Sequence, residues 1–301
     1  MEFKYNLFKD IQMVSETFNE WSEYREKITN KIFQELKNEN GSLIIFGAGE
    51  CNDLDLKKFE ERFNKITLVD FNLKSLDKAI ENYELRDSKK INIKNCDFLG
   101  VTGEVYEKYE KMLIDKQPIK KIIKFLRDEA NKIFKSEISF KIQKHEVGIC
   151  LGVHSQLTII FEGILAHYSD YYNQNELKKV HQEIEYMNTK VVKRLNDYIL
   201  DNITSKAFLG FDIMEISEIR KNINLIPLII DYSLEGKFEK LNNEIVNNYL
   251  VTGASQGNQD IIERISKKKI NMICYNTIIW PFNKQKYYLL YLYTVSNKVL
   301  K

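Results

Sequence analysis

The sequence has little of what punctuates or cross-links a chain. Only three of its 301 residues are proline and twelve are glycine. That excludes collagen-like and proline-rich linker sequences and argues against an all-β architecture with many tight turns. The four cysteines, Cys51, Cys96, Cys150 and Cys274, form no Cys-x-x-Cys pair, and the four histidines do not cluster. A zinc finger or ribbon is thereby excluded and no metal site is expected. Buried free thiols in a reducing compartment are a simpler reading than a disulfide scaffold. Charge of one sign is also lacking. The 45 basic and 43 acidic residues leave a net +2, so there is no broad footprint for nucleic acid or an anionic membrane. No apolar run approaches the roughly 20 residues of a membrane span. The N-terminal stretch MEFKYNLFKDIQ mixes charges with apolar groups, unlike a signal peptide, and the expected setting is cytoplasmic.

What is present suits a globular α/β chain. Hydrophobic residues at 44% and charged residues at 29% allow a sizeable core and exclude whole-chain disorder. Phe8, Ile11, Val14, Phe18, Trp21, Tyr24, Ile28, Ile32 and Leu36 recur at helical spacing, so residues 3–38 are expected to form one or two amphipathic helices. Asn38-Glu39-Asn40-Gly41 closes them. A strand then ends in Gly47-Ala48-Gly49, followed by a helix over Leu54–Phe63, a strand over Ile66–Phe71, a helix over Leu73–Tyr83 and a short strand at Ile91–Ile93. This alternation predicts a parallel sheet of βαβ units. Residues 104–143 are lysine-rich and helical, and are expected to be an insertion. Further strands are expected at Val147–Leu151 and Ala207–Asp212, with helices over 156–172 and 175–201 between them. Ile270–Pro281 and Lys286–Val295, joined at Phe282-Asn283-Lys284-Gln285, predict an antiparallel hairpin.

A glycine turn after the first strand, followed ~20 residues later by an acid ending the second, is the geometry of an adenosine site. The turn admits a ligand close to the backbone, and the carboxylate accepts from ribose hydroxyls. Here these are Gly47-Ala48-Gly49-Glu50-Cys51-Asn52 and Asp70. The nicotinamide fingerprint needs a glycine where Asn52 stands. Glu50 and Asp53 would bring negative charge where a diphosphate wants an open helix start, which suits a cationic ligand better.

On these residues the chain resembles the class I S-adenosylmethionine-dependent methyltransferases. Ile44 through Leu54 resembles their first motif, Leu68-Val69-Asp70-Phe71-Asn72 their second-strand acid, and Asn95-Cys96-Asp97-Phe98 their adenine-contacting acid. The resemblance implies a Rossmann-like seven-stranded sheet in the order 3-2-1-4-5-7-6 with the last strand antiparallel. Residues 1–40 would be a helical cap and 41–301 the catalytic domain. It implies S-adenosylmethionine as cofactor and S-adenosylhomocysteine as product. The binding shell would draw Gly47, Ala48, Gly49, Cys51 and Asp53 from the turn, and Asp70, Phe71 and Asn72 from the second strand. Asp97, Phe98 and Leu151 would complete it. The family's usual acid before the first glycine is Ile45 here and its third glycine is Cys51. Glu50, Asn52 or Asp53 would then meet the methionyl ammonium.

For the acceptor the residues are less specific. The fourth strand runs into Leu151-Gly152-Val153-His154-Ser155-Gln156 without the proline that base and amide methylation motifs use. Together with the neutral balance, this weighs against a nucleic-acid acceptor. His154 and Asp212 follow or end strands where open α/β sheets bind ligands, and either is a candidate proton acceptor. The alternatives are a turn histidine and a capping acid. A small molecule or a peptide methylated on oxygen or nitrogen is expected, and a carboxylate acceptor would need no base. A nicotinamide oxidoreductase and a non-catalytic cofactor-binding or interaction module remain the alternatives. The oligomeric state is not legible.

Overall fold

The computed structural model describes residues 17–136, 138, 142–215, 253–283 and 286–297. Residues 3–16 of the helical stretch expected over 3–38, and the turn residues 284–285, lie outside them. The described residues fall into two units: a sheet unit within Ser15–Cys96, Ile142–Ser155 and Ile199–Lys301, and a helical unit within Asp97–Lys141 and Gln156–Tyr198.

In the sheet unit the strands are β1 (Ser42–Phe46), β2 (Lys65–Asp70), β3 (Ile91–Asn95), β4 (His145–Leu151), β5 (Ile203–Glu215), β6 (Asn271–Trp280) and β7 (Tyr288–Ser296). Their order is β3-β2-β1-β4-β5-β7-β6, the order implied by the resemblance. β1 through β5 pair in parallel, while β7 runs antiparallel to both β5 and β6. Leu43, Ile44, Ile45 and Phe46 are all buried, as a parallel strand covered on both faces requires. Phe46 stands opposite Val69 on one side and Cys150 on the other. The chain order therefore reverses between β1 and β4, opening a crevice beyond their carboxyl ends.

The helices here are α1 (Thr17–Glu20), α2 (Ser22–Glu35), α3 (Leu56–Arg62) and α4 (Leu73–Asn82). The stripe of α2, Tyr24, Ile28 and Ile32, is buried. Just ahead of it, the ring of Trp21 meets that of Trp280 on β6, with centroids 5.1 Å apart. Helix α3 is shorter than the expected Leu54–Phe63, because Asp55 caps it by accepting from the Lys58 N–H at 3.2 Å. Glu50 and Asp53 consequently lie in the turn rather than at a helix start.

The helical unit contains α5 (Gly103–Ile114), α6 (Ile119–Lys135) and α7 (Ile159–His167), together with most of α8 (Gln174–Asp201). Their inner faces form one core in which Tyr109, Phe161, Ile164, Leu126 and Val180 are buried. The expected helix over 156–172 is broken, with a 3-10 turn at Ser169–Tyr171 after α7. Arg127 of α6 and Glu183 of α8 form a fork-shaped ion pair. A helix absent from the sequence reading, α9 (Ala254–Ser266), belongs to the sheet unit and packs on β5.

Candidate active site

The turn after β1 is built from left-handed backbone. Gly47 has φ +65° and Gly49 has φ +51°, conformations that cost an L-residue with a side chain about 1–2 kcal/mol. A Cβ on Gly47 would also lie 2.2 Å from Val153 Cγ2, whereas at Gly49 there is open space. Cys51 adopts φ +51° as well, left-handed backbone that favours glycine. Its buried side chain packs inside the turn. Burial pushes its thiol well up, aided by Asp53 and Asp70, which favours the protonated form.

Strand β2 delivers Asp70 to this turn. Its Oδ2 accepts from Gly49 N–H at 2.9 Å and its Oδ1 from Asn72 N–H at 2.9 Å. Backbone also ties the pieces, since Ala48 N–H donates to Val69 O at 3.0 Å. Burial raises the Asp70 carboxyl above its ordinary value against the pull of three backbone N–H groups. Each carboxylate oxygen retains a lone pair for a hydroxyl donor. Phe71, next in the chain, exposes 57% of its surface. Asn72 caps α4 by accepting from Lys74 N–H at 3.1 Å and Ser75 N–H at 3.4 Å, so its side chain is committed to the helix.

Asn52 is buried, and its Nδ2 donates to Glu50 Oε2 at 3.2 Å. Its Oδ1 is buried with no partner among the described residues, a costly state for an acceptor unless a ligand donates to it. Beside it Asp53 is half-buried. Burial pushes its carboxyl up to about 6, opposed by its backbone hydrogen bond and by Arg25. These groups fit a cationic ligand end and do not fit a diphosphate. The helix that follows begins only at Leu56 and presents no open N-terminus to the turn.

Leu151 ends β4 and is buried, with Gly152 following at φ +62°. Asp212 on β5 is buried, and burial pushes its carboxyl up to about 7, against a hydrogen bond from Ser155. Asp53 and Asp212 both act on the Tyr24 phenol, which burial raises first and their charges raise further. The two candidate acids and Tyr24 therefore converge within the sheet unit. His154 is fully buried, its ring 4.5 Å from that of Phe211 and packed against Gly257 of α9. Asp97 and Phe98 belong to the helical unit. Asp97 is exposed, its oxygens accepting from Leu99 N–H at 2.9 Å and Val101 N–H at 3.3 Å, while Phe98 is buried.

Sequence reasoning took Trp21 and Tyr24 for an ordinary helical stripe and passed over Arg25. The one distinguishing signal of Trp21 and Tyr24 was a density of aromatic residues, and Arg25 had none. Among the described residues no group of His, Cys, Asp and Glu could hold a metal ion. No helix there is long and apolar enough to cross a membrane.

No protein-family profile matches the chain, and no curated protein does. Among solved structures it is similar to magnesium protoporphyrin IX methyltransferase (ChlM) from Synechocystis PCC 6803 with bound SAM. That match has 8% identity and a TM-score of 0.43, and covers 98% of this chain and 98% of the other. It is also similar to the N-methyltransferase NodS from Bradyrhizobium japonicum WM9 in complex with S-adenosyl-l-homocysteine, at 7% identity, TM-score 0.40 and coverage of 93% and 98%. A SAM-dependent methyltransferase from Leishmania major gives 6%, 0.46, 97% and 81%. The fold assignment rests on this chain's own strand order and on its antiparallel β7.

Proposed function

We propose that the chain is an S-adenosylmethionine-dependent methyltransferase acting on an oxygen or nitrogen of a small molecule or peptide. In this reading residues 41–301 are one catalytic domain, with 1–40 as its helical cap and 104–143 as an insertion. The observation that carries the reading is the pairing of Asp70 with the Gly47–Asp53 turn at the crevice between β1 and β4. The turn offers a buried acceptor and a half-buried acid, groups suited to a cation.

Asp70 would hold the ribose hydroxyls, with Gly47, Ala48 and Gly49 giving close backbone approach and Phe71 an exposed ring for the adenine. Asn52 Oδ1 and Asp53 would hold the methionyl ammonium. The adenine role of Asp97 and Phe98 rests on the resemblance alone. When bound, S-adenosylmethionine supplies a methyl group on a sulfonium, already activated for in-line displacement. The chain then has to orient the acceptor, exclude water and, for a hydroxyl or ammonium acceptor, remove a proton. Asp212 would take it, with burial holding its carboxyl up at about 7. His154, packed between Phe211 and α9, would fix the turn that carries Ser155 to Asp212.

Calorimetric titration tests the assignment. The protein should bind S-adenosylhomocysteine and not NADH, and Asp70→Ala should abolish that binding. Binding of NADH alone, or undiminished affinity in Asp70→Ala, would sink it.

A further inference from the structure

We infer that Arg25 is a positioning residue for the methionyl end of the cofactor, acting through the backbone of Asn52. The inference rests on the reading of the Gly47–Asp53 turn as the cofactor site. Because α3 starts only at Leu56, no helical ladder holds the carbonyls on the outer side of this turn, and side chains from elsewhere do so instead.

Arg25 Nη1 donates to Asn52 O at 3.0 Å and to Phe18 O at 2.7 Å. Its guanidinium lies 4.3 Å from the centroid of the Phe18 ring and 6.0 Å from that of Tyr83. The Tyr83 hydroxyl donates to Cys51 O at 3.0 Å and to Leu54 O at 2.5 Å. Thr29 Oγ1, one turn further along α2, accepts from Asp55 N–H at 3.0 Å. The span from Cys51 to Asp55 is thus fixed by three side chains, two of them on the N-terminal helix.

What this span presents is the pair of groups assigned to the ammonium. Asn52 carries the buried Oδ1 without a partner among the described residues, and Asp53 follows it directly. A displaced Asn52 carbonyl rotates the Asn52 side chain and the Asp53 backbone together. Arginine suits the task because its planar fork donates in two directions while stacking on an aromatic face, which a lysine ammonium does not reproduce. Arg25 also places a positive charge near Asp53 that opposes the effect of burial. The N-terminal helix is by this account part of cofactor binding, in addition to any role toward the acceptor.

The test compares two ligands that share the adenosine half. S-adenosylhomocysteine carries the amino-acid end, while 5′-methylthioadenosine stops at the sulfur. In Arg25→Lys the affinity for S-adenosylhomocysteine should fall about tenfold, as for a lost charge-assisted hydrogen bond. That for 5′-methylthioadenosine should stay within about twofold on the same grounds. Thr29→Val, which loses the Asp55 contact, should show the same split to a smaller degree. Parallel weakening of both ligands, the mark of a merely structural residue, overturns the inference. So does unchanged affinity for S-adenosylhomocysteine in both variants. Failure of the unaltered protein to bind S-adenosylhomocysteine would overturn the cofactor reading itself.

Discussion

Gly47 is the position where a single methyl group should matter most. Its φ of +65° and the 2.2 Å approach of Val153 Cγ2 combine a backbone cost with overpacking. Gly47→Ala should therefore destabilise by about 2–4 kcal/mol in urea unfolding. Removing the obstructing methyl groups separates the two effects. In a double-mutant cycle Gly47→Ala and Val153→Ala should couple favourably by at least about 1 kcal/mol, and strict additivity would refute the steric part. Gly47, Gly49 and Asp70 were legible because glycine at left-handed backbone and an acid at a strand end leave a pattern in sequence. Other residues of the expected shell have duties the sequence does not reveal. Asn72 caps α4 and Asp97 holds its own turn. Cys51 keeps the conformation of the expected glycine without being one. His154 reads as a proton acceptor or a turn histidine, and its burial was not legible because the packing partners Phe211 and Gly257 come from distant segments.

At the level of elements, strands were read better than helix ends. β1, β2, β4 and the middle of β5 were legible as apolar runs and β3 as a short alternating one, yet β5 extends over Ile203–Glu215 where only Ala207–Asp212 was expected. Its flanking Thr204, Ser205 and Lys206 are polar, but Thr204 Oγ1 donates to His145 O at 3.2 Å and Ser205 Oγ to Glu39 Oε1 at 3.0 Å. Helix α9 was missed because Gly253-Ala254-Ser255-Gln256-Gly257 resembles a loop. In the structure Gly257 is required by contact, since a Cβ there would lie 2.7 Å from His154 Cδ2. Arg194 was likewise invisible on the long helix α8. It donates to Ile133 O at 2.6 Å, Phe98 O at 2.6 Å and Leu99 O at 3.0 Å, and to the Ser136 hydroxyl at 2.7 Å. The end of α6 and the chain after Asp97 are thereby fastened to α8. Arg194→Met would strand several buried carbonyls and should destabilise by about 2–4 kcal/mol. A loss below ~1 kcal/mol in chemical denaturation would show those carbonyls to be otherwise served.

For the whole molecule, a net charge of +2 conceals a set of acids in the sheet unit, where Asp70 ends β2, Glu50 and Asp53 lie in the turn after β1, and Asp212 lies within β5 and not at its end as expected. This has a consequence for stability. Burial raises the Asp53 and Asp212 carboxyls to about 6 and about 7, above the ~3.9 of an unfolded chain. Between roughly pH 4 and 7 the native state therefore holds more protons than the unfolded state, and stability falls as pH rises through that window. It levels off once both acids are ionised. Asp212→Asn, which cannot ionise, should flatten the slope and leave the variant more stable than the parent at pH 8, by up to about 4 kcal/mol. A variant that is less stable at pH 8, or keeps the full slope, would contradict this. The same linkage separates the cofactor from its fragment. An ammonium beside Asp53 lowers that carboxyl, so the bound state holds fewer protons and affinity for S-adenosylhomocysteine should rise from pH 5 to pH 7. Binding near pH 6 should release protons, measurable by calorimetry in buffers of different ionisation enthalpy. 5′-Methylthioadenosine, without the ammonium, should show neither effect. Equal pH dependence for the two ligands would move the ammonium away from Asp53.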